Sequence, residues 1–411
     1  MRDSGAAERL IERPARPLPG PGRVLRDAGP LYAGNALVGF VFAATGPVAV
    51  ILAVGEQGGL TQAQIASWVF GAFFLNGVLT VLSSWLYRQP LAFFWTIPGT
   101  VLVGPALGHL SWPEVVGTFV VTGLLIAVLG LTGLVRRVMA VVPMPIVMAM
   151  VAGVFLRFGV DLVRALEDDV AVAAPMVVVF LALSAVPALG ARVPPVLGAL
   201  VVGAVAVAVS GRFDPGTADG VLAAPVFTAP AWSLQAMLEL VVPLAITVLV
   251  VQNGQGVAVL RAARHDPPVT AVTVACGAWS VLTAAVGTVS TCLTGPTNAL
   301  LSASGERSRQ YTAGVLCGLL AIVFGVFAPL FTGLMLGTPA AFVAVLGGLA
   351  MLRVLQTSFV TAFGGDRTFG ALITFVVTVS DVTVLNIGSA FWGLVAGLAA
   401  SWLLERPAAR G

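Results

Sequence analysis

Apolar residues form long runs along almost the whole chain, from Ala33 to Leu404, and short polar stretches separate these runs. A run of about 18 residues makes a helix long enough to cross the ~30 Å hydrocarbon core of a bilayer. The runs are continuous and do not alternate, which excludes a β-barrel. Hydropathy and turn signals predict an all-α polytopic membrane protein with about 14 transmembrane segments. The segments lie near 33–54, 62–86, 92–108, 114–135, 144–164, 170–190, 195–211, 236–260, 268–288, 290–305, 311–335, 339–360, 368–385 and 388–404.

The charges predict how the chain is oriented in a membrane. Only 9% of the residues are charged and 58% are hydrophobic, whereas a soluble domain carries roughly 25% charged residues. The net charge of +3 does not indicate nucleic acid, because the basic residues are all arginines and most lie between segments. Seventeen of these 21 arginines share one side if the N-terminus is cytoplasmic. The positive-inside rule therefore predicts an inner (plasma) membrane protein with both termini in the cytoplasm.

Two short sequence matches indicate an internal duplication. GLLIAVLG at Gly123–Gly130 is echoed by GLLAIVFG at Gly318–Gly325, which is 195 residues later. TIPGT at 96–100 is echoed by LTGPT at 293–297 at nearly the same offset. Each half then holds seven segments, an odd number, so the two halves have opposite topology. This arrangement is the inverted repeat of secondary transporters.

The third and tenth segments are short and interrupted by glycine and proline. Each joins a Thr-rich extended stretch to a helix-compatible run, which predicts a half-helix that begins near the middle of the membrane. Two opposed helix N-termini favour an anion. The alternative is that proline and glycine only kink two ordinary spans. The residues expected to bind substrate here are Thr96, Pro98, Gly99, Thr100, Thr294, Gly295, Thr297 and Asn298.

The eighth segment places three side-chain amides at membrane depth. Buried amides need partners, so Gln252, Asn253 and Gln255 either join helices or contact a ligand. We assign Gln252 and Asn253 to the ligand and Gln255 to the structure. Aromatic side chains of the first and third segments can stack on a flat substrate, although any one such side chain more often faces lipid or the core. The candidates are Phe42, Phe94 and Trp95.

Ionisable groups within spans are few and point to function. Asp381 is expected in the middle of its segment, where it either pairs with Arg353 or carries a coupling proton. Glu239 and Asp161, near the ends of their segments, are weaker candidates for the proton. Asp161 can instead pair with Arg157, four residues earlier on the same helix face.

Other chemistry finds little support in the sequence. The cysteines Cys276, Cys292 and Cys317 have no CxxC spacing, and the two histidines fall at loop edges and receive no role. There is no P-loop, HExxH or GxSxG motif. We therefore expect no cofactor, no metal and no enzymatic activity.

Several stretches resemble the benzoate:proton symporter (BenE) family. The run QNGQGVAVLRAARHDPP at 252–268 resembles a signature of that family, and VAGVFLRFGVDLV at 151–163 and NIGSAFWGLVAGL at 386–398 are similar to its segments. The resemblance implies the fold of nucleobase–ascorbate (UraA-like) and SLC26 carriers, with seven plus seven inverted spans. It implies a core domain at 31–140 and 236–336 and a gate domain at 141–212 and 337–405. The remaining parts are a cytoplasmic N-terminal segment (1–30), an extracellular loop (213–235) and a cytoplasmic tail (406–411).

The resemblance also implies a function, namely symport of a proton with benzoate or a related aromatic carboxylate. It further implies an elevator-type movement and a homodimer formed through the gate domain. Nucleobase carriers typically place a Glu in spans 8 and 10, whereas this chain has Gln252 and the stretch Gly295–Thr297 there, which favours an anion. The alternatives are an inorganic anion carrier of the SLC26 type, a nucleobase carrier and an anion channel. The partners expected are the small organic anion, protons and the lipid bilayer.

Overall fold

The protein is a helical bundle that contains a short two-stranded sheet. The computed structural model describes residues 11–14, 17–135, 143–186, 193–214, 220–303, 305–382, 384 and 387–405. The first half contains α1 (Pro21–Asp27), α2 (Pro30–Gln57), α3 (Gln62–Tyr87), β1 (Phe93–Trp95), α4 (Ile97–Ala106), α5 (Trp112–Leu131), α6 (Met144–Asp168), α7 (Val170–Ala185) and α8 (Pro195–Val209). The second half contains α9 (Leu234–Ala262), α10 (Val269–Ala284), β2 (Thr291–Leu293), α11 (Gly295–Leu301), α12 (Tyr311–Val326), α13 (Ala328–Leu336), α14 (Ala340–Phe363), α15 (Thr368–Val379) and α16 (Ser389–Leu404).

The helices match the predicted segments. Every segment contains at least one helix, and six helices of the described residues are each long and apolar enough to cross a membrane. These six are α2, α3, α5, α6, α9 and α14. A seventh crossing results if α12 and α13 form one span. The protein is therefore a multi-pass membrane protein, and the number of 14 crossings stays a prediction.

The eleventh segment is broken, whereas the sequence pattern predicts a continuous helix over 311–335. Helix α12 ends at Val326, and α13 continues at an angle of 67°. Pro329 lies in the first turn of α13. Proline lacks the N–H that would continue the helical ladder, and its ring clashes with the preceding turn. It is tolerated where a helix begins, so the chain bends there.

The internal repeat has a counterpart in two equivalent helix crossings. Helix α5 crosses α10 where a Cβ on Gly123 would lie 2.8 Å from the Gly277 carbonyl oxygen. Helix α12 crosses α3 where a Cβ on Gly318 would lie 2.7 Å from the Gly77 carbonyl oxygen. Gly123 and Gly318 are the first residues of the two matching octapeptides. The two glycines are equivalent because each lets two helix backbones touch without a side chain between them.

The two strands join the halves of the chain. They pair antiparallel, with Phe93 opposite Leu293 and Trp95 opposite Thr291. Helices α4 and α11 follow directly after β1 and β2, so each half contributes an extended stretch and then a short helix. This is the predicted arrangement of segments 3 and 10.

We group the helices into two sets, which we call the core set (α2–α5, α9–α13 and both strands) and the gate set (α6–α8 and α14–α16). Helix α2 of the core set also packs on α14 of the gate set. Within the core set, α5 packs on α10 and α3 on α12. Within the gate set, α6 packs on α14 and α15, and α15 packs on α16. The sets contain the helices assigned to the core and gate domains, and the domain boundaries themselves stay a prediction.

Candidate functional site

A small cavity lies where the two strands, the short helices and the middle of α2 and α9 meet. It has a volume of about 20 Å³. A water molecule needs about 10–15 Å³ on this measure, so the cavity holds about one water. The residues that line it are Phe42, Ala43, Pro47, Phe94, Trp95, Ile97, Gln252, Thr294, Pro296 and Thr297.

Aromatic rings form one wall of this cavity. Phe94 and Trp95 come from β1, and their ring centroids are 6.0 Å apart at an interplanar angle of 85°. Both are backed by Phe73 of α3, at 5.7 Å from Phe94 and 5.2 Å from Trp95. All three side chains are buried. Edge-to-face rings at these distances stabilise one another, so the wall is a fixed apolar surface.

Three of the lining residues carry a buried polar atom that finds no hydrogen-bond partner among the described residues. These atoms are Trp95 Nε1, Gln252 Oε1 and Thr294 Oγ1. Leaving a buried polar atom unpaired costs about 1–3 kcal/mol. Indole N–H and hydroxyl groups are donors. The Gln252 side-chain amide is a donor at the same place when its oxygen and nitrogen positions are exchanged. A ligand with acceptor oxygens and a flat ring matches this combination.

The N-terminus of α4 is largely satisfied by its own chain. Thr96 Oγ1 accepts a hydrogen bond from the Gly99 N–H at 3.2 Å and donates one to Thr247 Oγ1 at 3.0 Å. Pro98 has no N–H, and Thr100 Oγ1 donates to the Thr96 carbonyl at 3.0 Å. These four predicted binding residues therefore hold the start of the half-helix, and none of them lines the cavity.

The two asparagines fasten the strands. Asn253 Oδ1 accepts the Leu293 N–H of β2 at 2.8 Å, and Asn298 Oδ1 accepts the Ala92 N–H next to β1 at 3.0 Å. Neither asparagine lines the cavity, and Asn253 borders a different one. Both were expected to contact the ligand, and the structure places them in the framework of the site.

The cavity thus contains part of the predicted set and some further residues. From the predicted set it is lined by Phe42, Phe94, Trp95, Gln252, Thr294 and Thr297. Gly295 instead packs against Gln255, for which a structural role was expected. The lining residues that the sequence interpretation missed are Ala43, Pro47, Ile97 and Pro296. Ile97 and Pro296 sit inside the two repeated motifs, which is the signal that identifies them.

A second, larger cavity of about 370 Å³ separates the core set from the gate set. All three candidates for the proton line it, together with two arginines. Asp161 lies 3.8 Å from Arg164. Asp161 therefore pairs with Arg164, three residues after it on the helix, and not with Arg157 as expected.

Asp381 does not lie in the middle of a helix. Helix α15 ends at Val379, and Asp381 follows in a turn with φ +55° and an exposed side chain. Aspartate tolerates this left-handed conformation better than most residues do. Arg353 is also exposed, and no ion pair between the two occurs in the part of the chain that the structure describes. The proposed Asp381–Arg353 pair is therefore wrong.

Glu239 has a partner that the sequence interpretation missed. Its Oε2 lies 2.9 Å from Nε2 of His109, and the Glu239 side chain is only 5% exposed. Glu239 belongs to a π-helical stretch of α9, whereas His109 lies between α4 and α5. The two are 130 positions apart in the sequence, so no local pattern connects them.

Known proteins with similar sequences are membrane proteins. The chain is 32% identical over 367 residues to the inner membrane protein YdcO of Escherichia coli (strain K12), which covers 88% of this chain and 91% of that protein. It is 27% identical over 372 residues to the benzoate membrane transport protein of Acinetobacter baylyi, which covers 89% of this chain and 93% of that protein.

Solved structures of transporters share the fold. The transmembrane domain of a cyanobacterial bicarbonate transporter, BicA, aligns with a TM-score of 0.60 and 17% identity, over 89% of this chain and 97% of that chain. Murine Slc26a9, an anion transporter captured in its inward-facing state, aligns with a TM-score of 0.58 and 14% identity, over 90% of this chain and 68% of that chain. At these identities the likeness concerns the fold alone, and it confirms the predicted fold class.

The sequence profile described as benzoate membrane transport protein (BenE) matches residues 27–403. This confirms the resemblance noted in the sequence. The chain therefore belongs to the BenE family, and it is a membrane transporter and not an enzyme.

Proposed function

We propose that this transporter carries benzoate or a related aromatic carboxylate together with a proton, by an elevator-type movement of the core set against the gate set. The single observation that carries the proposal is the small cavity, where an aromatic wall meets three unpaired polar atoms. The aromatic wall offers packing for the benzoate ring, and the donor groups offer hydrogen bonds to its carboxylate. The family match supports the same substrate class.

The size of the cavity bears on the mechanism. A pocket for a small molecule commonly has about 300–1,000 Å³, and this cavity has about 20 Å³. Benzoate therefore enters only when the walls separate. Phe42 of α2 and Trp95 of β1 both line the cavity, so a shift of α2 against the strands is the simplest way to open it. The closed cavity agrees with a carrier that opens to one side at a time and disagrees with a continuous channel.

Proton coupling follows from the charge of the substrate. Benzoate is an anion at neutral pH, and an inside-negative potential opposes its uptake by about 2.3 kcal/mol per 100 mV. Uptake with one proton moves no net charge and removes this cost.

Uptake of labelled benzoate into proteoliposomes tests the proposal. Passive entry of benzoic acid is subtracted with protein-free vesicles. We expect saturable uptake that an inward proton gradient accelerates. Thr294→Val and Gln252→Ala each remove one polar partner of the carboxylate and should weaken the apparent affinity about tenfold or more, since a hydrogen bond to a charged group contributes about 1.5–3 kcal/mol.

Thr357→Val is the matched control, because Thr357 is exposed on α14 and donates only to its own helix, at the Arg353 carbonyl. It should transport as the wild type does. Unchanged uptake in both site variants would show that the cavity is not the binding site. If the folded wild type shows no saturable uptake of benzoate but transports sulfate, bicarbonate or a nucleobase, benzoate is not the substrate.

The proposal includes cytoplasmic termini and a homodimer formed through the gate set. The distribution of arginines supports the orientation. Ala224 is exposed in the loop before α9, so a cysteine introduced by Ala224→Cys should react with a membrane-impermeant maleimide added outside spheroplasts. Labelling of this cysteine only after lysis would show that the protein has the opposite orientation. Mass measurement in detergent distinguishes the dimer from the monomer.

A further inference from the structure

We propose that His109 and Glu239 together form the site that binds the coupled proton, and that this proton controls the contact between the core set and the gate set. The inference rests on the proposed proton-coupled transport and adds the residues that carry out the coupling. His109 had no role in the sequence interpretation, and Glu239 was one of three candidates.

The geometry of the pair is that of a shared proton site. Glu239 Oε2 accepts a hydrogen bond from His109 Nε2 at 2.9 Å. A carboxylate only accepts, so the neutral imidazole carries its hydrogen on Nε2 and leaves Nδ1 free to bind a proton. Binding a proton at Nδ1 converts the pair from one net negative charge to none. The His109 side chain is 20% exposed, so a proton reaches it from solvent, whereas Glu239 is 5% exposed.

The same carboxylate touches the gate set. A Cβ placed on Gly388 would lie 2.6 Å from Glu239 Oε1. Gly388 is the N-cap of α16 and has no capping side-chain hydrogen bond. The N-terminus of this 16-residue helix attracts a negative charge. Glu239 is thus held between a histidine of the core set and a helix start of the gate set.

Other charged groups also line this cavity. From α6, Arg157, Asp161 and Arg164 line the cavity, and from the turn after α15, Asp381 does. From α5, which packs on the same part of α9, Glu114 faces outward, and its carboxylate accepts hydrogen bonds from Ser111. Two arginines therefore stand against three carboxylates in the cavity, Glu239 included.

These contacts give a coupling sequence. While the pair is unprotonated, the Glu239 charge attracts the start of α16. When His109 takes a proton, its positive charge offsets that of Glu239, and this attraction between the core set and the gate set weakens. A core with benzoate and a proton bound carries the same net charge as the empty, unprotonated core. One cycle therefore transfers benzoate and a proton without net charge.

Transport by Glu239→Gln tests this directly, with Asp381→Asn, a carboxylate of the same cavity, as the matched control. Wild type and Asp381→Asn should take up benzoate at a rate that a proton gradient accelerates and a membrane potential does not change. Glu239→Gln keeps the size and a hydrogen-bonding group, and it should still exchange internal for external benzoate. Its net uptake should respond to potential, because an uncoupled anion redistributes about 50-fold per 100 mV, and should lose the response to the proton gradient. His109→Gln should behave in the same way.

The inference is wrong if benzoate uptake by Glu239→Gln still responds to the proton gradient and does not respond to the membrane potential. That result would leave the proposed benzoate transport intact. Failure of the wild type itself to transport benzoate would instead refute the proposed function. For that case a second measurement needs no substrate. Amide hydrogen exchange at 389–392, corrected for the intrinsic effect of pH, should rise several-fold in the wild type between pH 7 and pH 5 and stay constant in Glu239→Gln. Equal behaviour of the two proteins contradicts the inference.

Discussion

The two glycine crossings give the sharpest prediction about stability. In Gly123→Ala the new methyl group would lie 2.8 Å from the Gly277 carbonyl oxygen, and in Gly318→Ala it would lie 2.7 Å from that of Gly77. Ordinary contact begins at 3.4 Å. The facing atoms are backbone, which no side-chain rotation moves away. The paired helices must therefore separate by about 0.6 Å in Gly123→Ala and by about 0.7 Å in Gly318→Ala.

The magnitude follows from how packing energy falls with distance. A gap of about 0.5–1 Å already forfeits a quarter to a half of the dispersion energy of the contacting atoms. Overpacking of this kind typically costs about 1–3 kcal/mol, and the better helix propensity of alanine returns up to about 1 kcal/mol. We expect both variants to lose stability, and by similar amounts, because a Cβ at either glycine meets a glycine carbonyl and the valine four residues later.

Thermal unfolding in detergent, followed by tryptophan fluorescence at a single scan rate, measures the effect. Membrane proteins often unfold irreversibly, so the comparison is of apparent Tm at a fixed rate. Gly34→Ala is the matched control, since a Cβ at Gly34 of α2 meets nothing within 4 Å, and its Tm should equal or exceed that of the wild type. Alanine variants as stable as Gly34→Ala would refute the close approach. A lower Tm in only one of Gly123→Ala and Gly318→Ala would refute the equivalence of the two helix crossings.

Three further predictions concern other contacts. Burial raises the pKa of Glu12, but backbone hydrogen bonds from Thr270, Glu12 itself and Ala271 outweigh it and hold the pKa below 4.5. The ionised carboxylate therefore contributes about 0.3–1 kcal/mol to the stability of the fold above pH 4.5, and this contribution is lost as the pH falls through the lowered pKa. When Tm is measured against pH, Glu12→Gln should not show this loss in acid. Asn298→Ala leaves the Ala92 N–H without its partner, although the Ala92 carbonyl still accepts from the Thr294 N–H. The variant should cost about 1–3 kcal/mol, whereas an equal Tm would show that water replaces the amide. N-ethylmaleimide should leave the folded protein unmodified by mass spectrometry and should react after denaturation, because its three cysteines are all buried: Cys276, Cys292 and Cys317.

The architecture could be predicted because it depends on local patterns. Apolar runs of sufficient length specify membrane helices. The repeated TIPGT and LTGPT stretches specify an extended segment followed by a proline-started helix, and β1–α4 and β2–α11 have this form. The matching octapeptides mark positions where two helices touch at glycine.

The roles of the polar side chains could not be predicted in the same way. Gln252 and Asn253 are neighbours in the sequence, yet only Gln252 lines the cavity, while Asn253 holds β2. Both lie at the end of a π-helical stretch, Thr247–Asn253, in which the regular period of 3.6 residues is interrupted. Which amide faces the ligand therefore depends on a backbone irregularity that the sequence pattern does not reveal.

Partners that are distant in the chain account for the other differences. A pair of Asp381 with Arg353 was one of two alternatives, since it would satisfy both charges, but the end of α15 at Val379 places Asp381 in a turn. The contact of His109 with Glu239 requires the loop after α4 to meet α9. Both outcomes are set by how helices pack, and no single segment contains that information.

Calorimetric titration of the purified protein with benzoate and with benzamide tests the central claim, that one cavity recognises both a ring and a carboxylate. Benzamide has the same ring and nearly the same shape without the charge. We predict saturable binding of benzoate, at least about tenfold weaker binding of benzamide, and a smaller difference between the two in Thr294→Val. Equal affinity for the two ligands, or no binding of benzoate by the folded protein, would contradict the account.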